Sequence, residues 1–111
     1  MRISVVIPVL DEEGSVAELY SQLNAALRQY ERDGYEILFV DDGSTDRTAE
    51  RVKALAAKDR VVKLLSFSEN FGKAAALSVG FRKAAGDVII TMDGDLQDDS
   101  AEIPRFIAEL D

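Results

Sequence analysis

Four short apolar runs, each followed by a helix-like segment, constrain the fold of this chain more than any other feature. The runs are rich in β-branched residues and have the length of buried strands. They cover residues 3–7, 35–40, 61–67 and 87–92. The intervening segments carry apolar residues at helical spacing. This alternation predicts an α/β fold, an open and mostly parallel sheet with helices on both faces, in one domain.

Local signals predict where the helices begin and end. Ser15 and Glu18 are spaced as a capping box before the first helix, and Gly34 follows it as a stop. Asp46 is the predicted N-cap of the second helix. The third helix is predicted over residues 71–85, and a fourth follows the last strand.

The chain contains no cysteine and no histidine, and its formal net charge is −8. These counts exclude disulfides, Cys/His zinc sites and catalytic triads that need histidine. A metal would therefore have oxygen ligands, which favours Mg²⁺, Mn²⁺ or Ca²⁺. The negative charge argues against a nucleic-acid-binding surface. No apolar run could span a bilayer and no signal peptide is evident, so a cytoplasmic protein is expected.

About half of the 21 acidic residues follow the carboxyl ends of the predicted strands. They are Asp11, Glu12, Glu13, Asp41, Asp42, Asp46, Glu69, Asp93, Asp95, Asp98 and Asp99. In a parallel sheet these loops share one edge, where open α/β sheets bind ligands. Acids also favour helix N-termini, which accounts for some of them without any ligand. Two carboxylates flanking Gly94 are less easily explained in that way.

Residues 92–97, MDGDLQ, form the sharpest motif. Asp93 and Asp95, two residues apart at the end of a buried strand, can reach one divalent cation together. Gly94 lets the backbone approach a ligand closely. An acid-x-acid pair is common in proteins, so the pair indicates a metal site mainly because of its position in the fold.

Three further motifs have both a functional and a structural interpretation. Asp41 and Asp42, in VDDGS, can accept hydrogen bonds from a nucleoside, but the same residue types suit a turn and a helix cap. The acids of PVLDEE would repel a bare phosphate, and this loop lacks the glycines of a dinucleotide or P-loop site. Lys73 begins the third helix and can neutralise a phosphate there, although a lone lysine is usually only solvated.

Taken in order, PVLDEE, VDDGSTD, NFGKAAALSVGF and MDGDLQDD resemble the motifs of family 2 glycosyltransferases with the GT-A, Rossmann-like fold. The resemblance covers essentially the whole chain and is strongest to polyprenyl-phosphate glycosyltransferases, a group that includes dolichol-phosphate mannose synthases. Four ordered motifs are far more specific than any one of them.

The resemblance implies an inverting transferase of cell-envelope glycan biosynthesis. It would move a sugar from a UDP- or GDP-sugar to a polyprenyl phosphate or glycan acceptor, with Mg²⁺ or Mn²⁺ as cofactor. Asp93 and Asp95 would hold the metal. The implied nucleotide-binding residues are Pro8, Leu10, Glu12, Asp41, Asp42, Lys73, Asp93, Gly94, Asp95 and Gln97.

The chain departs from the family pattern in sequence and in length. Leu10 stands where the family commonly has tyrosine, and Asp11 where it has asparagine. Family domains continue well past four βα units, so residues 1–111 are expected to be a truncated, N-terminal nucleotide-sugar-binding part. A catalytic base is not expected in it, and a phosphate acceptor would need none. The longer parent is expected at the cytoplasmic face of the membrane.

Other functional classes remain open at this stage. A phosphoacceptor receiver domain would match the length, the acidity and the βα alternation. A haloacid-dehalogenase-type phosphatase would also use an Asp-x-Asp pair, but after its first strand. An inactive nucleotide-binding fragment, forming a homodimer through the exposed edge strand, is a further alternative.

Overall fold

The structure, a computed structural model, describes residues 2–93 and 102–110. Its strands are β1 (Ile3–Val9), β2 (Tyr35–Asp41), β3 (Val62–Ser66) and β4 (Val88–Thr91). Its helices are α1 (Val16–Leu27), α2 (Thr48–Lys58), α3 (Lys73–Lys83) and α4 (Ile103–Leu110), and a 3₁₀ turn at Arg28–Tyr30 extends α1. Within the described ranges, none of the helices has both the length and the apolar character needed to cross a membrane.

The four strands form one parallel sheet in the order β3-β2-β1-β4. Val5 lies opposite Ile37 of β2 on one side and Ile90 of β4 on the other. The predicted α/β fold with a parallel sheet is therefore confirmed. The last residue of β4 pairs with Val6, so Pro8 lies beyond the end of β4. β1 can therefore continue through Pro8, although a proline has no N–H to donate to a neighbouring strand.

Each face of the sheet packs against its own helices. The odd-numbered residues of β1 face α1, α2 and α4, and the buried side chains there include Leu19, Leu23, Val52 and Ile103. Val6 faces the other side, with a smaller cluster that includes residues of β2 and α3. The period of two along β1 places apolar side chains on both faces, as expected of a central parallel strand.

Helix α3 lies unusually close to the sheet at Gly80. A Cβ added to this residue would lie 2.3 Å from Cγ1 of Val6, well inside van der Waals contact. The absence of a side chain therefore sets the distance between α3 and β1.

A buried carboxylate joins four segments at the amino-terminal edge of the sheet. Glu36 of β2 is 3% exposed. It accepts hydrogen bonds from Ser4 Oγ (2.6 Å), the Ala85 N–H (2.6 Å) and Lys63 Nζ (2.8 Å). Burial raises the pKa of Glu36, but the hydrogen bonds from Lys63, Ser4 and Ala85 outweigh it and the net pKa is lowered.

The predicted capping box at the start of α1 is wrong. Ser15 makes no side-chain cap to the helix. Its hydroxyl donates instead to the Glu12 carbonyl and carboxylate oxygens, both at 3.2 Å. A serine competes between backbone groups before and after it, and here the preceding loop supplies the acceptor.

Candidate active site

A cleft of about 300 Å³ opens at the carboxyl-terminal edge of the sheet. It lies where the strand order changes direction, since β2 and β3 follow on one side of β1 and β4 lies on the other. Such a switch point is where open α/β sheets bind ligands. The residues that line the cleft are Pro8, Val9, Leu10, Glu12, Asp42, Asn70, Gly72, Lys73 and Asp93.

Most of the predicted nucleotide-binding residues that the structure describes lie in this cleft. They are Pro8, Leu10, Glu12, Asp42, Lys73 and Asp93. Asp41 is not among the lining residues. It is 3% exposed, and its Oδ1 accepts a hydrogen bond from the Ser44 N–H at 3.0 Å. The remaining predicted residues, Gly94, Asp95 and Gln97, lie outside the described residues.

Asp42 ties the loop after β2 to the start of α3. Its carboxylate oxygens accept hydrogen bonds from the Phe71 N–H at 2.8 Å and the Gly72 N–H at 3.0 Å. Gly43 has φ +79, and a Cβ there would lie 2.4 Å from the Glu69 carbonyl carbon. The two loops are therefore in direct backbone contact, which fixes the position from which Lys73 begins the helix.

Lys73 and Asp93, which both line the cleft, form an ion pair. Their side chains are 60% and 38% exposed. An ion pair in water of this kind contributes about 0–1 kcal/mol. This pair by itself therefore contributes little to the stability of the fold.

The cleft contains the oxygen donors that Mg²⁺ or Mn²⁺ prefers, but only part of a ligand set. Within residues 2–93 and 102–110, no three acidic side chains come close enough together to hold a metal ion. Asp93, two residues beyond the end of β4, is the acid of the cleft that pairs with Lys73. It fits the part of a metal ligand, and its predicted partner Asp95 falls outside the described residues.

Sequence reasoning missed three residues of the cleft. Val9, Asn70 and Gly72 line it but were not among the predicted site residues. Val9 continues β1 beyond the proline, where the strand was expected to stop. Asn70 and Gly72 directly precede Lys73, so their position before a helix N-terminus at the ligand-binding edge was the available signal.

Comparison with known proteins gives a consistent family assignment. Residues 4–111 match the glycosyl transferase family 2 domain. A relative from Pseudomonas paraeruginosa, undecaprenyl-phosphate 4-deoxy-4-formamido-L-arabinose transferase, is 45% identical over 106 residues. That match covers 95% of this chain and 31% of the relative, so the chain spans about a third of the length of the curated relatives it matches.

Solved structures share the fold. The mannosyltransferase PcManGT from Pyrobaculum calidifontis, in complex with GDP-Man and Mn²⁺, has a TM-score of 0.76 and 30% identity, covering 85% of this chain and 27% of that one. S. aureus TarS 1-349, in complex with UDP-GlcNAc, has a TM-score of 0.77 and 27% identity, covering 98% and 30%. The strand order, the cleft at its switch point and the match over residues 4–111 agree: the chain belongs to glycosyl transferase family 2, as its four motifs predict.

Proposed function

We propose that residues 1–111 form the nucleotide-sugar-binding part of an inverting, metal-dependent glycosyltransferase. It takes its donor as a UDP- or GDP-sugar, and its acceptor is a polyprenyl phosphate presented at the cytoplasmic face of a membrane. The names of the relatives support the acceptor class, since they are undecaprenyl-phosphate sugar transferases. The bound ligands of the two solved neighbours, GDP-Man with Mn²⁺ and UDP-GlcNAc, support the donor class.

The observation that carries this proposal is the arrangement of charge in the cleft. Pro8 and Leu10 give the cleft an apolar surface that suits the flat faces of a base, whereas the Val9 side chain is buried in the core. Glu12 and Asp42 face the same space and can accept hydrogen bonds from sugar hydroxyls. These acids repel a diphosphate, so we expect the diphosphate beside Lys73 and the metal rather than beside Glu12.

Lys73 and Asp93 also line an adjoining pocket with Thr91 and Met92, on the β4 side of the cleft. Asp93, with Asp95 as its second ligand, would hold Mg²⁺ or Mn²⁺. The bound cation would neutralise the negative charge that develops on the diphosphate leaving group. Lys73, at the same part of the cleft, can donate hydrogen bonds to phosphate oxygens.

The transfer itself needs little further chemistry from this part of the protein. An oxygen of the acceptor phosphate attacks the anomeric carbon from the face opposite the nucleoside diphosphate. The new C–O bond forms as the bond to the diphosphate breaks, which inverts the configuration. Near neutral pH the phosphate oxygen is already anionic, so no base has to remove a proton from it.

Calorimetry with the 111-residue chain tests the proposal. UDP and GDP are titrated with and without Mn²⁺, and we expect one of them to bind only when Mn²⁺ is present. The double substitution Asp93→Asn and Asp95→Asn should abolish the Mn²⁺ dependence. Glu50→Gln, which removes one negative charge at an exposed position of α2, should leave it intact. If the double variant still binds the nucleotide only in the presence of Mn²⁺, the assignment of Asp93 and Asp95 as metal ligands is wrong.

The receiver-domain alternative is not supported by the strand order. Receiver domains have β1 between β2 and β3, whereas here β1 lies between β2 and β4. The homodimer alternative stays a prediction.

A further inference from the structure

We infer that Ser44, Asp46 and Thr48 are positioning residues for the proposed nucleotide site. They hold the loop after β1, residues 10–13, against residues 44–48, which run from the loop after β2 to the first residue of α2. We call these two segments together the loop clasp. This inference rests on the proposed function, because the loop held by the clasp is the one that carries Leu10 and Glu12 into the cleft.

Three successive backbone N–H groups of the first loop donate to three side chains of the second. The Asp11 N–H donates to Ser44 Oγ at 2.9 Å. The Glu12 N–H donates to Thr48 Oγ1 at 2.8 Å, and the Glu13 N–H to Asp46 Oδ2 at 3.2 Å. Consecutive N–H groups without an internal partner would otherwise need water, so these acceptors fix the path of the loop.

The second loop is held in return by Asp11. Its Oδ1 accepts hydrogen bonds from the Thr45 N–H (2.8 Å), the Thr45 hydroxyl (3.3 Å) and the Asp46 N–H (3.4 Å). Asp11 also has φ +52, in the left-handed region that residues other than glycine, asparagine and aspartate rarely adopt. Contacts in both directions make the clasp reciprocal and hold this backbone conformation.

The clasp is anchored on a rigid element. Thr48 is the first residue of α2 and is fully buried. Asp46 accepts hydrogen bonds from the Thr48 N–H at 2.9 Å and from the Thr48 hydroxyl. Burial raises the pKa of Asp46, but the hydrogen bonds from Thr48 and Glu13 outweigh it, so the net pKa is lowered and the acceptor stays ionised near neutral pH.

Glu12 both lines the cleft and is held by the clasp. Its N–H is bound by Thr48, and its carboxylate accepts the Ser15 hydroxyl at 3.2 Å. Because both the backbone N–H and the carboxylate of Glu12 are already held, the residue loses little conformational entropy when a ligand binds. A smaller entropy loss raises the affinity for the ligand. Without the Thr48 hydroxyl, the ligand itself has to order the loop.

The test replaces the hydroxyl of Thr48 while keeping the volume of the side chain. In Thr48→Val the Glu12 N–H loses its acceptor, and Thr48→Ser restores it. We expect the Kd of the 111-residue chain for UDP or GDP with Mn²⁺ to rise about fivefold in the valine variant, the effect of one net hydrogen bond. The serine variant should bind like the wild type.

Amide hydrogen exchange provides a readout that needs no ligand. The Glu12 N–H should exchange faster in Thr48→Val than in Thr48→Ser, whereas the Val5 and Ile37 N–H groups in the sheet should not change. If Thr48→Val does not fold, Ser44→Ala is used with Asp11 exchange as the readout, and exposed Ser78→Ala is its control.

The outcomes separate the two proposals. Failure of the wild type to bind either nucleotide overturns the proposed function, and the positioning role with it. Wild-type binding combined with equal Kd values for the valine and serine variants overturns the positioning role alone. Unchanged Glu12 exchange in Thr48→Val would show that the clasp does not form in solution.

Discussion

The buried carboxylate of Glu36 gives the sharpest test of how this sheet is held together. Its two oxygens accept three donors, from Ser4, Lys63 and Ala85, at 2.6–2.8 Å. In Glu36→Gln the amide oxygen can keep the Ser4 and Ala85 hydrogen bonds, since both go to the same carboxylate oxygen. The new NH₂ group then faces the Lys63 ammonium group, and two donors cannot bond to each other.

The size of the loss follows from these contacts. Two hydrogen bonds change from charged to neutral acceptors, at about 0.5–1 kcal/mol each. The Lys63 side chain is 52% exposed and can turn to water, so losing its pair adds only about 0.5 kcal/mol. We therefore expect Glu36→Gln to lower the free energy of unfolding by about 2 kcal/mol at pH 7.

Urea denaturation followed by far-UV circular dichroism measures this loss. Because the pKa of Glu36 is lowered in the folded state from its usual 4.5, its charge stabilises the fold above that pH. The stabilisation is lost as pH falls through the folded pKa, so the two proteins should become similar in stability in acid. Glu50→Gln, in an exposed pair with Arg47, is the control and should cost less than about 0.5 kcal/mol. A loss at Glu36 no larger than the control, or one that persists in acid, would refute the reasoning.

Two other predictions concern packing and a tyrosine. Gly80→Ala should lower the free energy of unfolding by about 1–3 kcal/mol, because the new methyl group overlaps Val6. This overlap outweighs the higher helix propensity of alanine. The control, Ser78→Ala at an exposed position of the same helix, should not destabilise the protein in the same urea assay. The hydrogen bond from Tyr20 Oη to Asp59 at 2.5 Å, with burial and the Asp59 charge, raises the pKa of Tyr20 from 10.0 to about 12. Stability from this contact is therefore present below pH 10 and lost as pH rises toward 12, and Tyr20→Phe should remove that pH dependence; an unchanged profile would contradict it.

Much of the fold could be predicted because its signals are local. The four apolar runs identified the strands, and their alternation with helices implied a parallel sheet. The end of β1 was missed because Pro8 normally breaks a central strand. It is tolerated here because β4 ends opposite Val6, a fact of register that no local pattern contains.

The candidate site was predictable in outline and not in its contacts. The rule that ligands bind at the carboxyl edge of a parallel sheet identified Glu12, Asp42 and Asp93 together. The roles of Ser44 and Thr48 could not be foreseen, because they depend on which N–H groups the neighbouring loop presents. From the sequence alone their residue types indicated only a turn and the start of a helix.

The most direct test of the central claim is a crystal structure of the chain with Mn²⁺ and GDP or UDP, with the metal located by its anomalous scattering. We expect a Mn²⁺ peak within bonding distance of the Asp93 carboxylate, with the base against Pro8 and Leu10. A metal or nucleotide bound away from the cleft between β1 and β4 would contradict it.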